Sequence, residues 1–481
     1  MNEKSRILSL VKDKSKRCAV IGLGVSNMPL IDFLLSFGAR ITAYDKKEKY
    51  ELGESARMLE EKGVALVCGE RYLDSVEEDV IFRSPGIRPD LPALKSAKER
   101  GAVITSEMEF FFELCPTKIY AVTGSDGKTT TTTLTHLFLS EAMKRNGNTA
   151  YLGGNIGAPL LPKVREMKSE DVSVLELSSF QLMGGNCVPD FAAITNITPN
   201  HLNWHKDMDE YISAKRSVCG KKSKKVVLNA DNGITSSFNF GESIFHVFFS
   251  STRSCIEEII PVGVKRAAAV FLRDGKIVYQ DGERGVAEEI LDVSDIKLPG
   301  KHNIENYMTA IALTYGDVDP CIYRDIAHSF GGVEHRLEFV AEINGVKYYN
   351  SSIDSSPTRT AAALSALAQK PIVICGGSDK NIPFEPLAIT LCERAKTVVL
   401  NGEASKKIHA ALDECPLSEK SGLTVYETET LAEAISLASE KAEKGDTVLL
   451  SPACASFDQF KNFAERGDFF KKMVFSMKDE N

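Results

Sequence analysis

Apolar positions in this chain fall into short unbroken runs that alternate with longer stretches of helical spacing. Cys18 to Ile21 is an apolar run of strand length, Gly22-Leu23-Gly24 interrupts it, and Pro29 to Phe37 then carries apolar residues at helical spacing. Gly38 fits the position just past a helix end, where a left-handed backbone is favoured. Arg40 to Tyr44 is the next predicted strand, closed by Asp45, so the chain opens on a strand–helix–strand unit. The alternation continues with a helix predicted around Ala56 to Lys62 and strands at Val64 to Val67 and Val80 to Phe82, the last running into Ser84-Pro85-Gly86. Glu107 to Leu114 reads as a helix that stops before Pro116. A second segment opens with a strand at Ile119 to Thr123, a glycine turn, and a helix predicted from Lys128 to about Arg145. Buried strands follow at Val172 to Leu177 and Phe191 to Thr195. From about Asn232 to Val293 the pattern changes to short alternating runs, such as Ser243 to Phe249 and Lys276 to Tyr279, which predicts a small antiparallel appendage. Leu298-Pro299-Gly300 marks a second break. Beyond it, strands expected at Lys347 to Tyr349, Pro371 to Cys375, Thr397 to Leu400, Thr424 to Tyr426 and Thr447 to Leu450 alternate with helices.

The expected architecture is therefore α/β in three domains. Residues 1–115 form a Rossmann-like N-terminal domain, 116–298 a P-loop central domain with the antiparallel appendage, and 299–481 a Rossmann-like C-terminal domain. A length of 481 residues agrees, being too great for one core. A net charge of −8 argues against a general nucleic-acid or anionic-membrane binder, while leaving room for a local cationic phosphate pocket. The dense basic run Lys221 to Lys225 reads as a solvated surface turn. Eleven cysteines lack CxxC or zinc-finger spacing, and several, such as Cys18 and Cys375, sit in apolar runs as small core residues. With no apolar stretch of membrane-spanning length and a charged N-terminus, a cytoplasmic protein is expected.

The sharpest chemical signal is Thr123-Gly124-Ser125-Asp126-Gly127-Lys128-Thr129-Thr130 between a strand and a helix. Glycines let successive N–H groups turn toward a phosphate, and the helix N-terminus adds partial positive charge. Lys128 would reach the β/γ-phosphates and the Thr129 hydroxyl would ligate Mg²⁺. The full P-loop pattern wants a further glycine where Val122 stands, so the string alone also fits a tight structural turn. The earlier Gly22-x-Gly24 turn lacks the third glycine of the dinucleotide fingerprint, yet it precedes a helix and could take a nucleotide diphosphate. Asp45 could then accept from a ribose or a base, or be a solvated residue beside a packing turn. Glu176 ends an apolar strand, where an ionised carboxylate must be paired or hold a cation. On their own, His201 and Lys215 fit structural roles at least as well as functional ones.

Together these segments resemble the Mur ligase family over nearly the whole chain. The family's loop has the form TGxxGKT. Further matches are Gly153-Gly154-Asn155-Ile156-Gly157, the run Leu175 to Leu182, Asn196 to His201, Leu298 to Asn303, and Glu334-His335-Arg336-Leu337-Glu338. The run Leu450 to Phe463, with Arg466-Gly467, resembles that of members that add D-glutamate, as does the N-terminal turn with Ser26 and Asn27. The resemblance implies an ATP-dependent ligase that joins D-glutamate to UDP-N-acetylmuramoyl-L-alanine through an acyl phosphate, with no nucleic-acid or membrane partner and as a monomer. It implies that residues 123–130, with Asn303 and Arg336, hold ATP. It places Thr129 and Glu176 on one Mg²⁺, and His201 and a carbamate on Lys215 on a second. Lys128, His201, Lys215 and Arg336 are the implied catalytic set. Ser26, Asp45, Ser84 and Asn155 are implied for the uridine substrate, and Lys380, Ser456 and Phe463 for D-glutamate. Two departures stand out: Ser351 and Ile353 replace an aspartate and a lysine of the family's NDSKATN motif, with Asp354 nearby, and Asn203 replaces the aspartate of its HxD.

Overall fold

A computed structural model of the chain describes every residue except Asn203, Glu283, Arg284, Pro299, Lys380, Asn381, Glu480 and Asn481. Among the described residues the strands form sheets of five, nine and six. They belong to two compact units, one of Met1–Asp295 with His302–Ile326, the other of Ile296–Lys301 with Ala327–Asn481.

The first unit carries two sheets. The N-terminal one comprises β1 (Arg17–Ile21), β2 (Arg40–Asp45), β3 (Ala65–Cys68), β4 (Val80–Arg83) and β5 (Val103–Thr105), in the order β3-β2-β1-β4-β5. All its pairings are parallel, so this is the doubly wound order, whose reversal between β1 and β4 opens a crevice at the strand ends. Val80 to Arg83 is buried at every position, as a strand covered on both faces requires. The helix Glu107–Leu114 coincides with its predicted span: Ser106 caps it by accepting from the Glu109 N–H, and the chain leaves it one residue before Pro116. Its Phe110 and Phe111 are fully buried, each worth roughly 2–3 kcal/mol of apolar burial. They lie in one apolar cluster with Val20 and Phe82 of the first sheet and Leu175 and Ile194 of the second.

The second sheet comprises β6 (Lys118–Thr123), β7 (Ala150–Gly154), β8 (Val172–Glu176), β9 (Phe191–Ile194), β10 (Lys225–Asn229), β11 (Phe245–Ser250), β12 (Ala267–Arg273), β13 (Lys276–Asp281) and β14 (Ala287–Asp292). Its order is β14-β13-β12-β11-β10-β9-β6-β8-β7. A small antiparallel part is present, as the sequence predicts, but the run Ser243 to Phe249 does not belong to it. Phe245–Ser250 runs parallel between β10 and β12, and only β13 and β14 turn back at the sheet edge. The reason is burial: β11 is covered on both faces, so its apolar run carries no true alternation. Lys225 is likewise no surface-turn lysine. It lies on β10, and its Nζ donates to the carbonyls of Leu313 and Tyr315 at 3.2 and 3.0 Å, holding the C-terminal end of a helix. That helix, Lys301–Thr314, follows the break at Leu298 to Gly300, yet from His302 onward it belongs to the first unit. Every residue from Asn306 to Thr314 is buried, a helix face too broad to leave in solvent.

The second unit holds β15 (Glu338–Ile343), β16 (Val346–Asn350), β17 (Ile372–Gly376), β18 (Thr397–Asn401), β19 (Thr424–Glu427) and β20 (Thr447–Leu450), ordered β15-β16-β20-β17-β18-β19. Five of these strands are parallel, and β15 is an antiparallel edge strand. Helices cover both faces, giving one apolar cluster around Leu364, Leu391 and Leu449 and another around Ile374, Ile435 and Phe470. Among the described residues, all eleven cysteines are free, and no helix is long and apolar enough to cross a membrane.

Candidate active site

The glycine turn after β6 is tied down from several directions. Ser125 donates through Oγ to the Thr198 carbonyl at 3.0 Å, and its Oγ lies 2.9 Å from the Tyr211 hydroxyl. The Asp126 N–H donates to Asn196 Oδ1 at 2.9 Å, and Thr195 Oγ1 donates to the Asp126 carbonyl at 2.5 Å. Gly127 opens the helix Lys128–Lys144 in a left-handed conformation, φ 77°, and Asn306 Oδ1 lies only 2.3 Å from where a β-carbon would stand. Asn306 comes from the helix after the expected domain break, and nothing in its local sequence marks it. It also accepts from Thr131 Oγ1 at 3.2 Å and donates to Asn303 Oδ1 at 3.2 Å, which puts Asn303 one bond from the loop. Lys128 folds back, its Nζ 3.0 Å from the Ser125 carbonyl. Thr129 and Thr130 sit half-buried on the first turn, while Thr123 is buried with a hydroxyl that has no partner among the described residues.

Glu176, at the end of β8, is 1% exposed, and its strand pairs with β6 and β7. Asn155 holds it: the Asn155 N–H donates to the Glu176 carbonyl and Asn155 Nδ2 to Oε1, both at 2.8 Å. Gly154 makes that approach feasible, because a β-carbon there would fall 2.2 Å from the Glu176 carbonyl oxygen. Oε2 of Glu176 is buried with no partner among the described residues. A buried carboxylate oxygen without a donor is expensive unless a cation completes it.

Lys215 lies on the helix Met208–Arg216 and is 2% exposed. Its Nζ donates to the Gly124 carbonyl at 2.6 Å and stands 4.6 Å from the Tyr211 ring centroid. Burial, followed by repulsion from Lys128, lowers its pKa from the usual 10.5 to about 7, against the pull of Asp126 and Glu176. His201 is exposed in a left-handed turn, φ 55°, its ring edge-on to Phe180. Partial desolvation and the Lys128 and Lys215 cations hold its pKa below the ordinary value, which favours the neutral, metal-binding imidazole. The donor set is thus hard and oxygen-rich, with one imidazole, and fits Mg²⁺. Lys215 is the exception, since an ammonium only donates.

The N-terminal glycine turn sits at the crevice between β1 and β4. Ser84 closes it, its N–H donating to the Ile21 carbonyl, and Ser26 begins the following helix. Asp45 is no solvated bystander: its two oxygens accept from the Leu23 and Lys47 N–H groups at 2.7 and 2.9 Å, which shapes the turn.

In the second unit, Arg336 is exposed between two residues of positive φ, His335 at 61° and Leu337 at 41°. Asp354, near the altered family motif, is buried and accepts from Ser451 Oγ at 2.9 Å. Desolvation raises its pKa, opposed by Ser351, Ser451, Arg336 and Arg359. Ser456 is buried and Phe463 is 40% exposed. Lys380 and Asn203 lie outside the described residues. Arg466, noted in the sequence only as part of a run, is the residue that shapes this loop. Its buried guanidinium donates to Ser352 Oγ and O and to the Cys454 and Ala455 carbonyls, at 2.9 to 3.1 Å.

Residues 16–106 match the Mur ligase MurD-like N-terminal domain, 122–314 the Mur ligase middle domain, and 335–454 the Mur ligase glutamate ligase domain. The chain is 47% identical over 467 residues to the UDP-N-acetylmuramoylalanine–D-glutamate ligase of Clostridium kluyveri, covering 96% of this chain and 97% of that one. It is 46% identical over 471 residues to the enzyme of the same name from Acetivibrio thermocellus, covering 97% of each. In fold it is similar to the UDP-N-acetylmuramate–alanine ligase of Thermotoga maritima, with a TM-score of 0.53 at 18% identity, over 97% of this chain and 100% of that one. The chain belongs to the Mur ligase family, ATP-dependent ligases of peptidoglycan precursors.

Proposed function

We propose that this chain joins the amine of D-glutamate to the terminal carboxylate of UDP-N-acetylmuramoyl-L-alanine, with ATP cleaved to ADP and phosphate. The observation that carries the reading is the buried pair of Glu176, with one orphan oxygen, and Lys215, whose ammonium lies on the carbonyl of Gly124 in the glycine loop. The relatives bear the name of that reaction along nearly their whole length. Residues 1–115 are read as the uridine-substrate domain, 116–298 as the ATP domain, and 299–481 as the domain for the amino acid. Helix Lys301–Thr314 then serves the ATP site through Asn303 and Asn306.

Residues 123–130 cradle the phosphates with backbone N–H groups, and Lys128 offsets charge on the transferring phosphoryl group. The substrate carboxylate attacks the γ-phosphorus, ADP leaves, and the acyl phosphate is then attacked by the amine of D-glutamate with loss of phosphate and a proton. Bound Mg²⁺ supplies neutralising charge to the phosphoryl oxygens. Thr129 and Glu176 would hold one ion, and His201 with a carbamate on Lys215 a second. Carbamylation turns Lys215 from a donor into an anionic oxygen ligand, and its lowered pKa supports this because only the neutral amine reacts with carbon dioxide. Ser26, Asp45, Ser84 and Asn155 are assigned to the uridine substrate, Arg336 to the nucleotide, and Lys380, Ser456 and Phe463 to D-glutamate. We read the enzyme as a cytoplasmic monomer. Phosphate release measured with UDP-N-acetylmuramoyl-L-alanine and each of D-glutamate, L-glutamate, L-alanine and L-lysine tests the assignment. Release is expected with D-glutamate, and release with another amino acid alone would overturn it.

A further inference from the structure

Arg88 lies four residues beyond Ser84 on the loop that leaves the N-terminal crevice, and its guanidinium is fully engaged. Nη1 donates to the Trp204 carbonyl at 2.6 Å and to Glu210 Oε2 at 3.0 Å. Nη2 donates to Glu210 Oε1 at 2.9 Å, and Nε to Asp90 Oδ1 at 2.8 Å. The guanidinium carbon also stands 4.9 Å from the Trp204 ring centroid. Trp204 returns a bond to the same loop, its Nε1 donating to the Gly86 carbonyl at 3.1 Å.

Two of the three partners of Arg88, Trp204 and Glu210, lead into the site. The N–H groups of Trp204 and His205 each donate to the His201 carbonyl at 3.0 Å, and this pair closes the turn that holds His201 at positive φ. A non-glycine residue stays in that conformation only when its surroundings fix it. Glu210 lies in the first turn of the helix that carries Tyr211 and Lys215, and it also receives the Lys206 N–H at 3.0 Å. One fork therefore grips the His201 turn and the Lys215 helix at once, from the loop of the candidate uridine site.

We infer that Arg88 is a positioning residue for the His201 turn and the Lys215 helix, acting through Trp204 and Glu210. The inference rests on the reading of His201 and Lys215 as ligands to the second Mg²⁺. A lysine at this position keeps the charge but offers a single nitrogen in place of the rigid fork.

The test compares Arg88→Ala, Arg88→Lys and His201→Ala for the Mg²⁺ concentration giving half-maximal activity, with the melting temperature followed in parallel. Arg88→Ala is expected to raise that concentration about tenfold and Arg88→Lys at least threefold, with the KM for D-glutamate within twofold of the unaltered enzyme. Combining Arg88→Ala with His201→Ala should raise it by less than the two single changes together, because Arg88 acts in part through His201. A rise for His201→Ala with none for either Arg88 variant overturns the role of Arg88 and leaves the ligand reading standing. No rise for His201→Ala overturns the ligand reading, and this inference with it. Trp204 is the only tryptophan of the chain, so its emission reports the joint directly. Emission should shift in Arg88→Ala, and unchanged emission beside an altered Mg²⁺ requirement would refute the route through Trp204. Should Arg88→Ala fail to fold, Arg88→Lys carries the comparison.

Discussion

Replacing Lys215 by alanine separates a ligand from a packing residue more sharply than any other single change. With its pKa lowered from 10.5 to about 7, the fraction of neutral amine at pH 7.5 rises from roughly 0.1% to roughly three quarters. The nucleophile available to carbon dioxide therefore increases by nearly a thousandfold over an ordinary surface lysine. Burial is the main cause, and repulsion from Lys128 adds to it. The direction fixes the pH window. Below about pH 7 the amine is protonated and the carbamate cannot re-form, so in buffer depleted of bicarbonate activity should fall as the pH drops through 7 and return on adding bicarbonate above it. On the carbamate reading, Lys215→Ala removes an oxygen ligand and should lower kcat by about tenfold to a hundredfold, the range seen when groups around a metal are removed. It also removes an ammonium from a buried site, so the fold should persist by circular dichroism. Acetate or formate at tens of millimolar, a concentration of roughly that order being needed for a weak carboxylate ligand, should restore part of the rate, and bicarbonate should not. Full activity of Lys215→Ala without added acid, or a wild-type rate indifferent to bicarbonate at every pH, would refute the carbamate.

Asn306→Asp sets a carboxylate against the loop proposed to hold phosphates, and the KM for ATP should rise about tenfold or more, roughly 1.4 kcal/mol; an unchanged KM means that the helix contact is packing alone. Arg466→Lys gives up bonds to four oxygens in a buried site and should destabilise the second unit by about 3 kcal/mol, with the KM for D-glutamate raised and that for ATP unchanged, as unfolding curves and initial rates would show. Glu107 is buried, one of its oxygens has no partner among the described residues, and desolvation raises its pKa from 4.5 to about 7. The folded state therefore binds the extra proton between those values, and stability is lost as the pH rises through 7. Glu107→Gln should match the wild type near pH 4.5 and exceed it at pH 7.5 by up to about 3 kcal/mol, measured as the difference between urea midpoints; equal midpoints at both pH values would show the carboxylate to be solvated.

Much of the fold was legible because the relevant signals are local. The helix Glu107–Leu114 announces itself by a serine cap and a proline stop, and the loop at residues 123–130 by glycines between an apolar run and a helix. Strands β5 and β7 are among those that went unread, as are β10 and β15: Val103–Thr105 is three residues long, and Ala150–Gly154 ends in two glycines, which weaken any strand pattern. Parallel and antiparallel pairing cannot be told apart from a doubly buried run, and Phe245–Ser250 was misplaced for that reason.

The site divides along the same line. Lys128, Thr129 and Glu176 could be picked out because each breaks a local rule, a lysine at a glycine turn or a carboxylate in an apolar strand. Lys215 could not, since a lysine in Met-Asp-Glu-Tyr-Ile-Ser-Ala-Lys-Arg looks solvated and only packing buries it. Asn306 and Arg88 were invisible for a further reason: the partners that give them their place lie more than a hundred residues away, at Thr131, Trp204 and Glu210. Residues proposed to touch phosphate or metal are held to a chemistry that the sequence can display. Residues that hold those in place are chosen by distance alone, and a fork such as Arg88 acquires its role only once the two sheets of the first unit have met.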